Sequence, residues 1–152
     1  MRRSEKEIKS REEIQAVMKK ATICRIGLAD GNIPYVVPVN FGFKDNALYF
    51  HSAKEGRKLD IIRRNNNVCF EIDADQVFVP AEKGCNWSMK YKSVIGNGKA
   101  YFVDAPAEKI TALKIIMAHY SDKPYDFSEE EAAKVAVIRI DIESLSGKKS
   151  GY

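Results

Sequence analysis

Cysteine is scarce in this 152-residue chain, and its placement argues against two chemistries at once. Cys24, Cys69 and Cys85 form no CxxC pair and, being three, cannot all join in disulfides. Cys24 and Cys69 stand in apolar β-like runs, where a free thiol is expected to behave as a small buried hydrophobe. A reducing cytoplasm suits that pattern. The two histidines, His51 and His119, lack metal-ligand spacing with any Cys or carboxylate. No apolar run approaches the roughly 18 residues that a membrane-spanning helix needs. Met1 to Glu13 is densely charged without an apolar centre, so no signal peptide is expected there. Charge of one sign is also in short supply. The 25 Lys and Arg exceed the 21 Asp and Glu by only four, spread along the chain. Nucleic-acid binding would want a concentrated basic stripe, so the expected partner is a small anionic ligand. Gly96-Asn97-Gly98 lacks the third glycine of a dinucleotide fingerprint. Gly147-Lys148-Lys149-Ser150 lacks the upstream glycine and following helix of a phosphate loop.

What is present is ordinary for a globular protein: 45% hydrophobic and 30% charged residues. No repeat, low-complexity segment or linker interrupts it. The expectation is one domain over 1–152, with a charged segment at 1–9 and a polar, mobile tail at 146–152. Ser10-Arg11-Glu12-Glu13 reads as a capping box opening a helix with Ile14, Val17 and Met18 on one face. Strands are expected at Thr22–Ala29, Pro34–Phe43, Ala47–Phe50, Val68–Asp73, Tyr91–Val103 and Val135–Ile142. Residues 74–86 look irregular, with Val77-Phe78-Val79 able to pair locally. Gly96 and Gly98 suggest a bulge in the fifth of these strands. Helices are expected at Ala107–His119 and, after a second capping box at Ser128–Glu131, in one short segment. About six strands with scattered helices and no βαβ alternation argue for a mainly β fold, a small antiparallel barrel flanked by helices.

Two stretches invite a ligand. In Pro34–Phe43 the odd positions Tyr35, Val37, Val39, Phe41 and Phe43 are large and apolar. The even positions Val36, Pro38, Asn40 and Gly42 are small or polar, so one strand face packs and the other leaves room. Pro38 also removes a ladder donor, which argues for an edge or a bulge. The second stretch, His51-Ser52-Ala53-Lys54-Glu55-Gly56-Arg57-Lys58, lies where a strand gives way to a helix. Free N–H groups at a helix start, a hydroxyl and an Arg-Lys pair together suit a phosphate. The plain alternative is a solvated basic helix face.

In order and spacing, Tyr35-Val36-Val37-Pro38-Val39-Asn40-Phe41, Phe50-His51-Ser52-Ala53 with Gly56-Arg57-Lys58, and Ser93-Val94-Ile95-Gly96 with Gly98-Lys99-Ala100 resemble a known family. It is the flavin mononucleotide (FMN)-binding split-barrel superfamily, typified by pyridoxamine 5′-phosphate oxidase. The likeness runs from about Glu13 to Leu145 and is closest to the nitroimidazole-resistance branch. It implies a six-stranded antiparallel split β-barrel that forms a homodimer with FMN at the subunit interface. By the same resemblance Gly56, Arg57 and Lys58 belong to the phosphate turn, with His51 and Ser52 reaching the phosphate side. Pro38, Val39 and Asn40 lie along the isoalloxazine, with Lys92 and Ser93 near the ring.

The chain also departs from the oxidases. Val36 stands where they carry an Arg, Ser93 where they carry a Gln, and their C-terminal Arg/His substrate motif is missing. The resemblance therefore implies a cytoplasmic flavin-dependent reductase using a small-molecule donor and acceptor, rather than a true pyridoxamine 5′-phosphate oxidase. A non-catalytic FMN carrier or sensor stays open. So does a haem-handling split barrel with His51 or His119 as axial ligand. Cys85, Trp87, Tyr91 and His51 are candidates for the ring's neighbourhood, and the loop 80–90 for a lid. No catalytic acid or base and no metal site is assigned.

Overall fold

Strand alternation carries most of the chain, and the computed structural model describes it over residues 4–152. The first three residues of the charged N-terminal segment lie outside the described residues. The elements are β1 (Glu7–Ile8), α1 (Arg11–Lys20), β2 (Cys24–Asp30), β3 (Ile33–Val39), β4 (Gly42–Lys44), β5 (Ala47–Ser52) and α2 (Arg57–Arg64). They continue with β6 (Asn67–Val79), β7 (Ser88–Phe102), α3 (Pro106–Tyr120), α4 (Glu129–Ala133) and β8 (Ala136–Ser150). No helix among them is long and apolar enough to cross a membrane.

All pairings are antiparallel, in the order β3-β2-β6-β7-β8-β5-β4, with β1 added beside β8. The two ends of that path, β3 and β4, are consecutive in the chain, with only Asn40 and Phe41 between them. The three Cα steps from Val39 to Gly42 span at most about 11 Å, so the two ends of the sheet come close at this crossing without pairing, and the sheet is an open, split barrel. The expected single strand at 34–43 is thus two strands on opposite rims. Pro38 lies on an edge strand, as its missing donor requires. The count is eight strands rather than six because β1 and β4, of two and three residues, are too short to announce themselves.

Inward positions fill the barrel. Ile26, Leu48, Phe50, Phe70, Ile72, Val94, Ile138 and Ile140 are buried there, capped by Ile14, Val17 and Met18 of α1 and by Leu59, Ile61 and Ile62 of α2. A second cluster joins α3 and α4 to Val103 and Val137 on the far side of the sheet. The capping box at Ser128 is complete, with both reciprocal bonds to Glu131. That at Ser10 is half-formed: the Glu13 N–H donates to Ser10 Oγ at 3.2 Å, but the Glu13 carboxylate instead accepts from Lys149 Nζ at 3.1 Å.

Three expectations need correction. Residues 146–150 are strand, not mobile tail: β8 runs on to Ser150, in register with β7 from Tyr91↔Ser150. The long β7 leaves an unpaired edge there, and pairing overrides the polar composition. β6 likewise runs past the expected Asp73: the local pairing expected of Val77-Phe78-Val79 is present, against Ser88–Lys90, and a bulge between Ala74 and Val77, with Asp75 at φ 60, makes it a continuation of the same strand. The loop expected at 80–90 shrinks to the tip of a β6–β7 hairpin, braced by the Trp87 Nε1–H donating to the Ala81 carbonyl at 2.7 Å. Finally, Cys24 is buried but Cys69 is exposed. The run Val68-Cys69-Phe70 has two faces, and Cys69 takes the outward one.

Candidate functional site

The β5–α2 corner gathers the phosphate-ready residues. Ser52 shares the inward phase of Leu48 and Phe50, so it is buried at 6% exposure. Among the described residues its Oγ has no hydrogen-bond partner, and an unpaired buried hydroxyl costs about 1–3 kcal/mol. Four residues on, Gly56 forms the N-cap of α2 at φ 136, a conformation that a side chain would strain, and it supplies no capping side chain. The amides of Arg57 and Lys58 at the start of α2 therefore lack the cap that Ser10 and Ser128 give α1 and α4. His51, on the opposite phase, is exposed.

Arg57 reaches from this corner to the β2–β3 hairpin. Its guanidinium stands 4.9 Å from the centroid of the Tyr35 ring and 3.9 Å from Asp30 Oδ2. Asp30 is held more closely by Arg64, at 2.7 Å. Arg57 thus joins the turn to Tyr35 and Asp30, two residues to which the motif reading gave no site role. The signal for Asp30 was available: an acid before the Gly31-Asn32 turn and a helix carrying three Arg and one Lys.

The other sequence-predicted residues lie along the sheet. Pro38 faces outward in register with Arg25, Val39 packs half-buried against the barrel core, and Asn40 occupies the crossing to β4. β3 pairs only with β2, so its other edge keeps free main-chain donors and acceptors. Ser93 pairs with Asp73 on the outward face. Lys92, on the opposite phase, points to α1, 3.7 Å from Glu13 and 3.8 Å from Asp75. Strands β2 and β6 separate Lys92 and Ser93 from β3 within the chain, roughly 14 Å at ordinary strand spacing.

Between the two sets lies a charged cluster that the linear reading did not assemble. Arg25 Nη1 donates to Asp73 at 2.6 Å and to Glu71 at 3.1 Å. Burial and the neighbouring Asp73 charge push the Glu71 carboxyl above its ordinary value, against the pull of Arg25. Alternate positions 71 and 73 mark one strand face, but their distance from Arg25 in sequence hides the pairing.

Of the remaining candidates, Cys85 and Trp87 are exposed at the hairpin tip, and Tyr91 lies under Lys148 Nζ at 5.6 Å. His119 is engaged elsewhere: its Nε2 is 2.7 Å from the Ala21 carbonyl and its ring 4.3 Å from that of Phe41.

Known proteins resemble this chain in sequence and fold. A family model described as pyridoxamine 5′-phosphate oxidase matches residues 10–149. A solved protein from Bacteroides thetaiotaomicron, described as a 5-nitroimidazole antibiotic resistance protein, is 34% identical with a TM-score of 0.85, covering 94% of this chain and 86% of that one. The FAD and haem binding protein from Mycobacterium smegmatis shares the fold at a TM-score of 0.86 and 18% identity, over 97% of this chain and 74% of that one. An uncharacterized protein from Rhizobium meliloti is 32% identical over 92 residues, 60% of this chain and 54% of its own length. The chain thus spans about half the length of the curated relative it matches.

Proposed function

The chain belongs to the pyridoxamine 5′-phosphate oxidase family, and from that premise we propose that it is an FMN-binding reductase of the nitroimidazole-resistance kind. The observation that carries the reading is the corner itself. The unpartnered Ser52 Oγ, the uncapped start of α2 and the Arg57-Lys58 pair offer hydroxyl, amide and cationic donors to one dianionic group. FMN supplies the redox chemistry when bound. Around it, the free edge of β3 at Pro38, Val39 and Asn40 offers main-chain groups to the ring's polar rim, and His51 stands exposed beside the phosphate residues.

The same geometry favours a homodimer. Ser93 lies on the outward face three strands along the sheet from β3, so a ring seated on β3 would meet it most simply from a second subunit, while Lys92 is turned to Glu13 and Asp75. The outward surface also leaves Ile33, Val36 and Ile95 exposed, with Phe78 and Trp87 on the hairpin. Apolar groups in such number suit a covered face. A cytoplasmic location accords with the free thiols. Val36 and Ser93, standing where the oxidases carry an Arg and a Gln, argue for a small donor and acceptor, such as a reduced nicotinamide and a nitroaromatic, rather than a vitamin phosphate.

The absorbance of the purified protein gives the first test, with a flavin band expected and a haem band alone overturning the reading. Arg57→Ala should weaken FMN by about ten- to a hundredfold, as losing a charged hydrogen bond of about 1.5–3 kcal/mol implies, and leave riboflavin nearly unchanged. Undiminished binding of both would remove Arg57 from the site. Light scattering should show a dimer. Anaerobic mixing of the loaded protein with NADH or NADPH should bleach the flavin. Failure with both donors would favour a carrier.

A further inference from the structure

Away from the β5–α2 corner, α3 lies across β4 and the end of α1, and a cavity of about 520 Å³ opens between them. That size is within the range of small-molecule sites. Its floor is apolar: Phe43 from β4, with Ile115 and Ala118 one turn apart on α3. Its rim is cationic, formed by Lys19, Lys44 and Lys114. Lys114 is paired with Asp126 at 2.7 Å, and that pairing holds the Asp126 carboxyl below its ordinary value. Lys19 and Lys44 have no carboxylate partner among the described residues, so the mouth carries excess positive charge. The imidazole of His119 forms part of the wall. With Nε2 directed at the Ala21 carbonyl, Nδ1 is the ring nitrogen left for a ligand.

We propose that this cavity is a second ligand site, separate from the flavin corner, for a small aromatic anion whose flat body lies on Phe43 and Ile115 and whose carboxylate meets Lys19 and Lys44. The class follows from the lining. An apolar floor selects a hydrophobic body, and the unpaired ammonium groups select one negative charge at its end. A neutral molecule of the same shape would leave those charges without a partner and gain nothing from them.

The site is rigidly backed. Gly42 lies so close to α3 that an added Cβ would stand 2.6 Å from the Ile115 carbonyl oxygen. The Tyr120 hydroxyl ties α3 to both Phe41 and Thr22, at 2.9 Å each. The cavity is therefore a fixed feature of the barrel corner rather than a gap between loosely attached elements.

The experiment titrates the full chain with 2-naphthoate and, separately, with neutral 2-naphthamide, following the Ile115 methyl signals by NMR. Naphthoate should shift Ile115 saturably, and naphthamide should bind at least about tenfold more weakly. The Lys19→Glu/Lys44→Glu variant should weaken naphthoate about tenfold or more. Ala118→Trp, at an exposed position, should fill the cavity and abolish the shift. Lys134→Glu, at the C-cap of α4, should change nothing. Far-ultraviolet circular dichroism confirms that each variant folds. Equal binding of the amide, indifference to the charge reversal, or shifts confined to the Phe78–Trp87 hairpin would each overturn the proposal.

Discussion

Two corners of the barrel are built from the same materials and finished differently. Where α3 meets the β3–β4 crossing, main-chain groups of the crossing and of the segment after α1 are bonded to side chains of the helix. The Phe41 N–H donates to the Tyr120 hydroxyl, which donates in turn to the Thr22 carbonyl, and His119 closes on Ala21. Gly42 allows the helix backbone into contact with the strand. Where β5 meets α2, the donors are left over: Ser52 Oγ has no partner and Gly56 leaves the helix start uncapped. The first corner has these main-chain groups paired as folded and ties α3 to the strand crossing. The second retains an unfavourable balance in the free chain, which a bound anion would relieve. For the proposed phosphate site, the unsatisfied groups, rather than the basic residues alone, set this corner apart.

That contrast breaks most readily at the closed corner. Gly42→Ala forces a Cβ against the α3 backbone, 2.6 Å from the Ile115 oxygen and 2.8 Å from Ile116 Cα. Backbone cannot rotate aside as a side chain would, so a loss of about 3 kcal/mol is expected. In a chain of this length that lowers Tm by roughly 6–12 °C, read by thermal denaturation. A smaller and more selective break is Tyr120→Phe, which leaves the buried Phe41 amide without its acceptor and should cost about 1–2 kcal/mol. Its counterpart at the open corner should behave oppositely. Ser52→Ala removes a hydroxyl that has no partner, so the free protein should be unchanged or slightly more stable, while FMN binding weakens. A Ser52→Ala loss in the free protein matching that of Tyr120→Phe would mean the two corners do not differ in kind.

The closed corner was barely visible in the sequence, and the open one was largely visible. Ser52, Gly56, Arg57 and Lys58 are consecutive or nearly so, and the chemistry of a strand–turn–helix junction is local. Phe41, Tyr120, Ala21 and His119 come together only through tertiary packing, across 79 residues for Phe41 and Tyr120. The strands were legible wherever one face alternated cleanly, as in β2 and β5. They were misjudged where pairing overrode composition, as at Ser146–Ser150 in β8, and where a bulge at Asp75 hid the continuation of β6. Tyr35 was read as core and Asp30 as turn. Neither role discloses that the folded chain brings Arg57 to both of them.

Asp30 offers the subtlest test, and its sign decides what the residue does. In the free protein its carboxylate lies 3.9 Å from Arg57 and 2.7 Å from Arg64, all three side chains being substantially open to solvent. Exposed pairs of this kind contribute about 0–1 kcal/mol, so Asp30→Asn should lower stability only slightly, chiefly through Arg64. Toward a phosphate, the same carboxylate acts as a nearby like charge and as a competitor for the Arg57 fork. Removing its charge should therefore tighten FMN about two- to fivefold at low salt, as up to about 1 kcal/mol allows. Riboflavin binding should not respond, and the gain should fade as salt shortens the range of the repulsion. Fluorescence titrations of both flavins at two ionic strengths read all three effects. If Asp30→Asn weakens FMN instead, Asp30 holds Arg57 in its binding position, and the open corner is more preorganised than its unpaired Ser52 suggests.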